Sequence, residues 1–443
     1  MAMATANPRQ RMVLLQATFD VVIRKEDGVP VIVDPNRRPD GHFMHVVNSN
    51  GAYLQEMTDA IIALARAGVD EGAGALHVAK KRGWKELAHG ETYATVLDHM
   101  VRKAADSLGV EFSTNYGYSG IVYDQTAGII RANNLPAVVV NYADTEPTQA
   151  REAVLKDLSV LAKLAKTMGR ERFLEFMNTN WINWPTGNWM PPDVEVPGLL
   201  RKTDFYGAMS AEGYPCPDHV RVAGVDKGRL EGAIYEFASS HQGNIVVKPN
   251  VAALRSLGVF YLNKEGLGPS GLKGAVSDIM GQIRGRQHNN RISDWIIEEE
   301  VQRAFIPYGR NGDRHFIYYD IIPLIVGTSV IGTLVKYSTT PESVPLGRMP
   351  GQNPVIFSMV GVDGDDELAR RSRKWSEVVG LDVTENGIRE GPETALVKST
   401  LRANGHITKA EEMALIAKRA LEPLLESRIS TLYESLAELQ RQA

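Results

Sequence analysis

Apolar residues along this chain follow two rhythms, and the changes between them mark its elements. Short apolar runs bounded by turn residues occur at Met12–Val22, Val29–Val33, Ala75–Val78 and Leu135–Asn141, as buried strands require. Elsewhere the apolar positions move to three-and-four spacing. Leu54, Met57, Ile61 and Leu64 run up to Gly68, and Val154, Leu158, Leu161, Ala165 and Met168 run up to Gly169. Each set is the buried stripe of a helix closed by glycine. The run His42–Asn48 reads as a strand that leads through Ser49-Asn-Gly51 into the helix of Leu54, Met57, Ile61 and Leu64. This alternation predicts an α/β fold with a largely parallel sheet.

The rhythm breaks after residue 178, where Trp181, Trp184 and Trp189 stand among prolines and asparagines. The irregular segment marks a first boundary near residue 195. A helix over Leu200–Gly213, a Pro-Cys-Pro exit, a strand at Val220–Val222 and a helix at Arg229–Ser240 follow. Next come the strand-like Asn244-Ile-Val-Val-Lys-Pro-Asn250, a small loop, a second strand at Val259–Leu262, a helix, and Trp295-Ile-Ile-Glu-Glu-Glu-Val301. In the tail, Thr408 and Glu411 have capping-box spacing. Pro423 is expected to break the helix in two. Leu425, Ile429, Leu432, Leu436 and Leu439 form a stripe suited to packing on the body or to a homodimer seam.

At 443 residues the chain has room for two or three domains. Its 43% apolar and 23% charged content is ordinary for a globular protein. A net charge of −4 supplies no long-range pull toward nucleic acid or an anionic membrane. One cysteine, Cys216, precludes an intramolecular disulfide and fits a reducing compartment. No apolar run reaches the length of a membrane span, and the first residues carry no signal-peptide core. A cytoplasmic protein is expected. Cys216, between two prolines, reads as a packed loop residue. His42 and His45 read as structural, since a spacing of three on a strand puts them on opposite faces.

The chemistry concentrates between residues 244 and 301. Lys248 at a strand end can sit on phosphate oxygens as a point charge. Backbone N–H groups of the following loop, which holds Ser256 and Gly258, can cap the same anion. The carboxylates Glu298, Glu299 and Glu300 can take ribose hydroxyls. This order suits a nucleoside triphosphate.

Four motifs in this order resemble the ATP-grasp superfamily. A lysine-led helix with its exit is matched by Lys202…Glu212-Gly-Tyr-Pro-Cys-Pro217. The strand and phosphate loop are matched by Val246-Val-Lys-Pro249 and Ser256-Leu-Gly-Val259, and the hinge strand by Ile296-Ile-Glu-Glu-Glu-Val301. Gly312-Asp-Arg-His-Phe-Ile-Tyr-Tyr319 is similar to the strand that follows. The resemblance covers roughly residues 200–338. It implies an ATP-grasp fold with residues 1–195 as a Rossmann-like pre-ATP-grasp domain, 196–338 as the nucleotide-binding region, and 339–443 as the remainder with a helical tail.

The activity implied is joining a small-molecule carboxylate to an amine through an acyl phosphate, with ATP and Mg2+. Lys202 and Lys248 would hold phosphates, Ser256 and Gly258 would belong to the loop over them, and the backbone near Glu299–Val301 would read adenine. One of Glu298–Glu300 would take the ribose, and Asp313 is assigned to the nucleotide site. Lys336 would serve the γ-phosphate, and Arg310 and Arg314 the acyl phosphate or the substrate carboxylate. The family's metal-binding Glu-x-Asn is missing from residues 340–443, leaving Asp363 and Asp382 as candidate metal ligands. A small-molecule kinase and a non-catalytic nucleotide-binding protein are the alternatives.

Overall fold

The computed structural model describes residues 15–36, 42–85, 90–143, 151–183, 201–224, 226–250, 258–285, 292, 294–310, 313–339, 356–381 and 393–442. The chain begins with an antiparallel pair, β1 (Gln16–Ile23) and β2 (Pro30–Asn36). Two helices follow, α1 (His42–Asn48) and α2 (Ala52–Asp70). Then β3 (Ala75–Lys80), α3 (Gly90–Leu108) and β4 (Glu111–Tyr116) build a parallel β-α-β unit. The hairpin strands β5 (Ile121–Asp124) and β6 (Ile129–Ala132) lead to β7 (Leu135–Asn141), which pairs with the other side of β3. After α4 (Arg151–Met168) and α5 (Arg170–Thr179), the two-residue β8 (Trp181–Ile182) joins β7. β3 is buried on both faces because alternate side chains enter different cores. Leu76 and Val78 face the cluster that includes Met57 and Leu97, while Ala75 and Ala79 face the cluster that includes Leu161.

A small antiparallel sheet comes next. Its elements are α6 (Lys202–Ala211), β9 (His219–Ala223), α7 (Lys227–Ser240), β10 (Ile245–Pro249), β11 (Phe260–Leu262), α8 (Pro269–Gly285) and β12 (Asp294–Glu299). The strand order is β11-β10-β12-β9. Ile245, Val247, Trp295 and Ile297 point to one face and form a core with Ile234, Phe237, Val276 and Met280 of α7 and α8. The period of two sends Lys248 and Glu298 to the other face.

The large antiparallel sheet combines β13 (Phe305–Arg310), β14 (Asp313–Val326), β15 (Ser329–Ser338) and β16 (Ile356–Met359) with the first two strands. Its order is β16-β15-β14-β1-β2, and β1 lies in register with β14 through Gln16↔Val326 and Val21↔Ile321. This sheet crosses the expected boundaries at residues 195 and 338. The chain continues through α9 (Asp365–Val379) and α10 (Thr394–Ala403) into α11 (His406–Gln442). Along α11, Ala410, Met413, Ala414, Ala417 and Leu421 share a core with Phe19, Val21 and Ile321.

Mixed α/β architecture is therefore present, with four corrections of detail. Parallel pairing is confined to β3, β4, β7 and β8, and the other two sheets are antiparallel. His42–Asn48 is a helix in which all residues but Met44 are buried, a demand that a strand with one solvated face would not meet. Pro423 stays inside an unbroken α11, where Leu421 and Leu425 are buried on either side; packing outweighs the lost backbone bond. Thr408 lies inside that helix, and Glu411 accepts a hydrogen bond from Thr333 Oγ1 at 2.5 Å in place of capping. The stripe residues Leu425, Leu432 and Leu436 are buried in the chain's own core, so these three pack on the body. The side chains of Ile429 and Leu439 lie outside the described residues.

Candidate functional site

The small sheet's second face meets β2 of the large sheet, and a cluster of buried charged groups gathers there. Lys248 lies opposite Ile296 in the β10–β12 register, which puts Glu298 diagonally beside it on one face. Their charges meet at 2.5 Å, and both side chains are about nineteen-twentieths buried. The Lys248 ammonium also donates to the Val33 carbonyl at 2.8 Å and to the Tyr206 hydroxyl at 3.3 Å. Lys202 opens α6, where its N–H donates to the Asn250 carbonyl at 2.9 Å, tying the helix start to the end of β10. Its ammonium stands 3.0 Å from Asp34. Burial pushes the Lys202 pKa down, and the nearby Lys248 adds to this against the pull of Asp34.

A second group of charges lies on the large sheet. Asp20 and Asp34 are direct partners across β1 and β2. Lys336 stands between Asp20 at 3.1 Å and Asp320 at 3.0 Å. Burial opposes its charge, but the two carboxylates outweigh burial and hold its pKa above the usual lysine range. Arg303 joins Asp320 at 2.8 Å to Glu300 at 3.0 Å, linking the residues after β12 to the large sheet. Burial pushes the Asp20 carboxyl up, and Asp34 and Asp320 add to it, against the pull of Lys336. The Asp20 and Asp34 side chains keep 27% and 43% of their surface open, unlike the lysines they face.

Of the expected site residues, Lys202, Lys248, Glu298 and Lys336 come to these facing surfaces. The other hinge carboxylates go elsewhere. Glu299 donates its backbone N–H to the Asp218 carbonyl at 2.8 Å and lies beside Gly243. Glu300 accepts from the Tyr261 hydroxyl at 2.5 Å and from Asn244, besides pairing with Arg303. Val301 follows the strand, half-buried. Gly258 precedes β11 with φ +84°, a conformation that favours glycine; Ser256 lies outside the described residues.

Arg310 pairs with Asp313, and Gly309 with Arg314, at the end of the β13–β14 ladder. Their side chains are outside the described set. Arg314 is six residues along β14 from Asp320, about 20 Å at strand rise, so the backbone does not bring Arg310, Asp313 and Arg314 to the lysines. Asp363 lies in the turn after β16, exposed and 3.6 Å from Arg402. Asp382 is outside the described residues. Among the described residues no three His, Cys, Asp or Glu side chains form a metal-holding group. Cys216 is half-buried with its thiol against the Tyr206 carbonyl, and burial raises its pKa, which fits the packed-loop reading.

Sequence reasoning missed Asp20, Asp34, Tyr206, Arg303 and Asp320. A signal for Asp34 was present: Val31-Ile-Val-Asp-Pro-Asn36 is an apolar strand ending in acid-x-Asn, the spacing sought only after residue 340.

No protein-family model and no curated protein sequence matches this chain. Solved structures do match. One is a candidate gamma-glutamylcysteine synthetase from Methylobacillus flagellatus KT, at 12% identity and TM-score 0.46, covering 97% of this chain and 90% of that one. A D-alanyl-alanine synthetase A from Vibrio cholerae matches at 9% identity and TM-score 0.32, covering 69% and 79%. The D-cycloserine synthetase DcsG matches at 15% identity and TM-score 0.34, covering 78% and 100%. All three are synthetases by name, distant in identity and TM-score though each covers most of this chain.

Proposed function

We propose that this chain is an ATP-dependent ligase that joins a small-molecule carboxylate to an amine through an acyl phosphate, with Mg2+ on the phosphates. The observation that carries the reading is the convergence of Lys202 and Lys248, from α6 and β10, on the face that meets β2. Two ammonium groups from separate elements neutralise neighbouring phosphates without any covalent role, which is most of what phosphoryl transfer asks of a protein. Each lysine rests on an acceptor of its own protein. A triphosphate would replace Asp34 and Glu298 as their partner.

Asp20 and Asp34 fit magnesium. They are hard oxygen donors, opposite each other on adjacent strands, with side chains that keep open surface. Burial and the neighbouring carboxylates raise the Asp20 pKa against the pull of Lys336, and a bound cation would ease that. Magnesium usually takes one or two carboxylates and completes its shell with phosphates and water. When bound, it neutralises charge that develops on the transferred phosphoryl group. The acidic strands expected after residue 340 would then stand at the start of the chain, joined to the same sheet in permuted order. Carboxylates at this place support an enzyme over a non-catalytic nucleotide-binding protein. Lys336, held between Asp20 and Asp320, would stabilise the γ-phosphoryl oxygens. The small-molecule acid and amine would be the protein's partners, in a cytoplasmic setting.

Calorimetry with ATP and Mg2+ tests the site. Lys248→Ala is expected to abolish the binding that the wild type gives, and unchanged affinity would overturn the assignment. Asp34→Asn is expected to remove the gain in ATP affinity on adding Mg2+; a gain equal to that of the wild type would exclude Asp34 as a ligand. Phosphate release that requires acid and amine together would separate a ligase from a kinase.

A further inference from the structure

We propose that Tyr206 is a positioning residue that holds the Lys248 ammonium at the phosphate site; this rests on the nucleotide reading of the cleft. Tyr206 is fully buried on α6, four residues after Lys202. That spacing puts both side chains on one helix face, so a single turn of α6 sets the position of one ammonium directly and of the other through the phenol. The ring is fixed by tilted contacts with Phe205 and with His219, whose centroid is 5.1 Å away.

The hydroxyl lies 2.6 Å from the Val33 carbonyl, 3.1 Å from Glu298 Oε2 and 3.3 Å from the Lys248 nitrogen. A phenol has one proton, and the shortest contact gives it to Val33. Its lone pairs then accept from Lys248. The three N–H groups of the ammonium are thus shared among Glu298, the Val33 carbonyl and Tyr206. Burial raises the Tyr206 pKa well above the usual tyrosine value, so the proton stays on the hydroxyl at neutral pH.

Without the hydroxyl, the flexible lysine stem retains Val33 and Glu298 and is drawn toward the carboxylate. Incoming phosphate must then compete with a tighter ion pair. Because Lys248, Glu298 and Val33 still satisfy one another, Tyr206→Phe is expected to keep the fold.

The test measures Mg2+–ATP, inorganic tripolyphosphate and adenosine binding to wild type and Tyr206→Phe by calorimetry. The expected result is a loss of about tenfold for ATP and for tripolyphosphate, with adenosine affinity unchanged. Equal weakening of ATP and adenosine would overturn the proposal, because a tyrosine that merely shapes the cleft affects both. Unchanged binding of all three would overturn it as well. Failure of the wild type itself to bind ATP would be a different result, removing the nucleotide reading on which the proposal stands.

Discussion

His45 shows how burial sets a pH dependence. Its Nδ1 is buried without a hydrogen-bond partner among the described residues, and burial, helped by nearby His42, lowers its pKa from 6.5 to about 3. His77 on β3 is lowered in the same way, to about 4. Below pH 6.5 the unfolded chain takes up protons that the folded chain refuses, so the unfolded state binds more protons and stability falls on acidification. The contribution of His45 is complete above pH 6.5 and is lost progressively down to pH 3, at roughly 1.4 kcal/mol per pH unit through most of that window. Urea unfolding of wild type and His45→Gln at pH 7, 6 and 5 is expected to give a shallower decline in the variant. Identical slopes would show that His45 takes up its proton equally in the folded and unfolded chain. Residues of the candidate site were legible to the same degree that their surroundings were local. Lys202, Lys248 and Glu298 sit in contiguous motifs, whereas the pairing of Asp320 with Arg303 and Lys336 depends on strand register that no short window contains. The three consecutive glutamates look alike in sequence, and only the pleat of β12 and the turn after it decide that Glu298 faces Lys248.

Among the elements, the turn between α1 and α2 is the most constrained. Gly51 has φ +89°, and a Cβ there would meet the indole of Trp375 on α9 at 2.0 Å. Gly51→Ala therefore adds a backbone strain to a steric one, and a loss of about 2 kcal/mol or more is expected from denaturant unfolding. Adding Trp375→Leu should recover the steric part and leave the backbone part. A stability of Gly51→Ala equal to that of wild type would mean that α9 does not dock on this turn. The same region explains a misread element. Phe-Met-His-Val-Val is too short for periodicity to distinguish strand from helix, and α1 is settled by burial among α2, α3, β15 and α9. Long elements were easier. The stripes of α2 and α4 and the strands β3, β7 and β10 stand where their patterns put them, because enough turns or alternations repeat to outweigh any single residue.

At the scale of the whole molecule, β1 is an interior strand of the large sheet, between β14 and β2. Its amides are expected to exchange with solvent only on global unfolding, together with those of β14. Early exchange of β1 with α1 to α3, before β14, would mean that the first residues form a unit of their own. Such long-range pairing is the part of the architecture that local patterns do not carry. Strands such as β3, β7 and β10 announce themselves, but neither the partner of β1 nor the antiparallel sense of two sheets follows from alternation.

The closure of that sheet also bears on how the chain reaches its fold during synthesis. Gln16 pairs with Val326, so β1 leaves the ribosome long before its neighbour exists. At typical elongation rates the interval is about 15–60 s, far longer than the microseconds a hairpin needs to form. During that time β1 and β2 can pair with each other, but the remaining edge of β1 is an open row of backbone donors and acceptors next to buried residues such as Phe19 and Val21. A nascent chain with this topology is expected to benefit from a chaperone that shields the edge, and aggregation during expression should be worst for coding sequences that slow translation between β2 and β14.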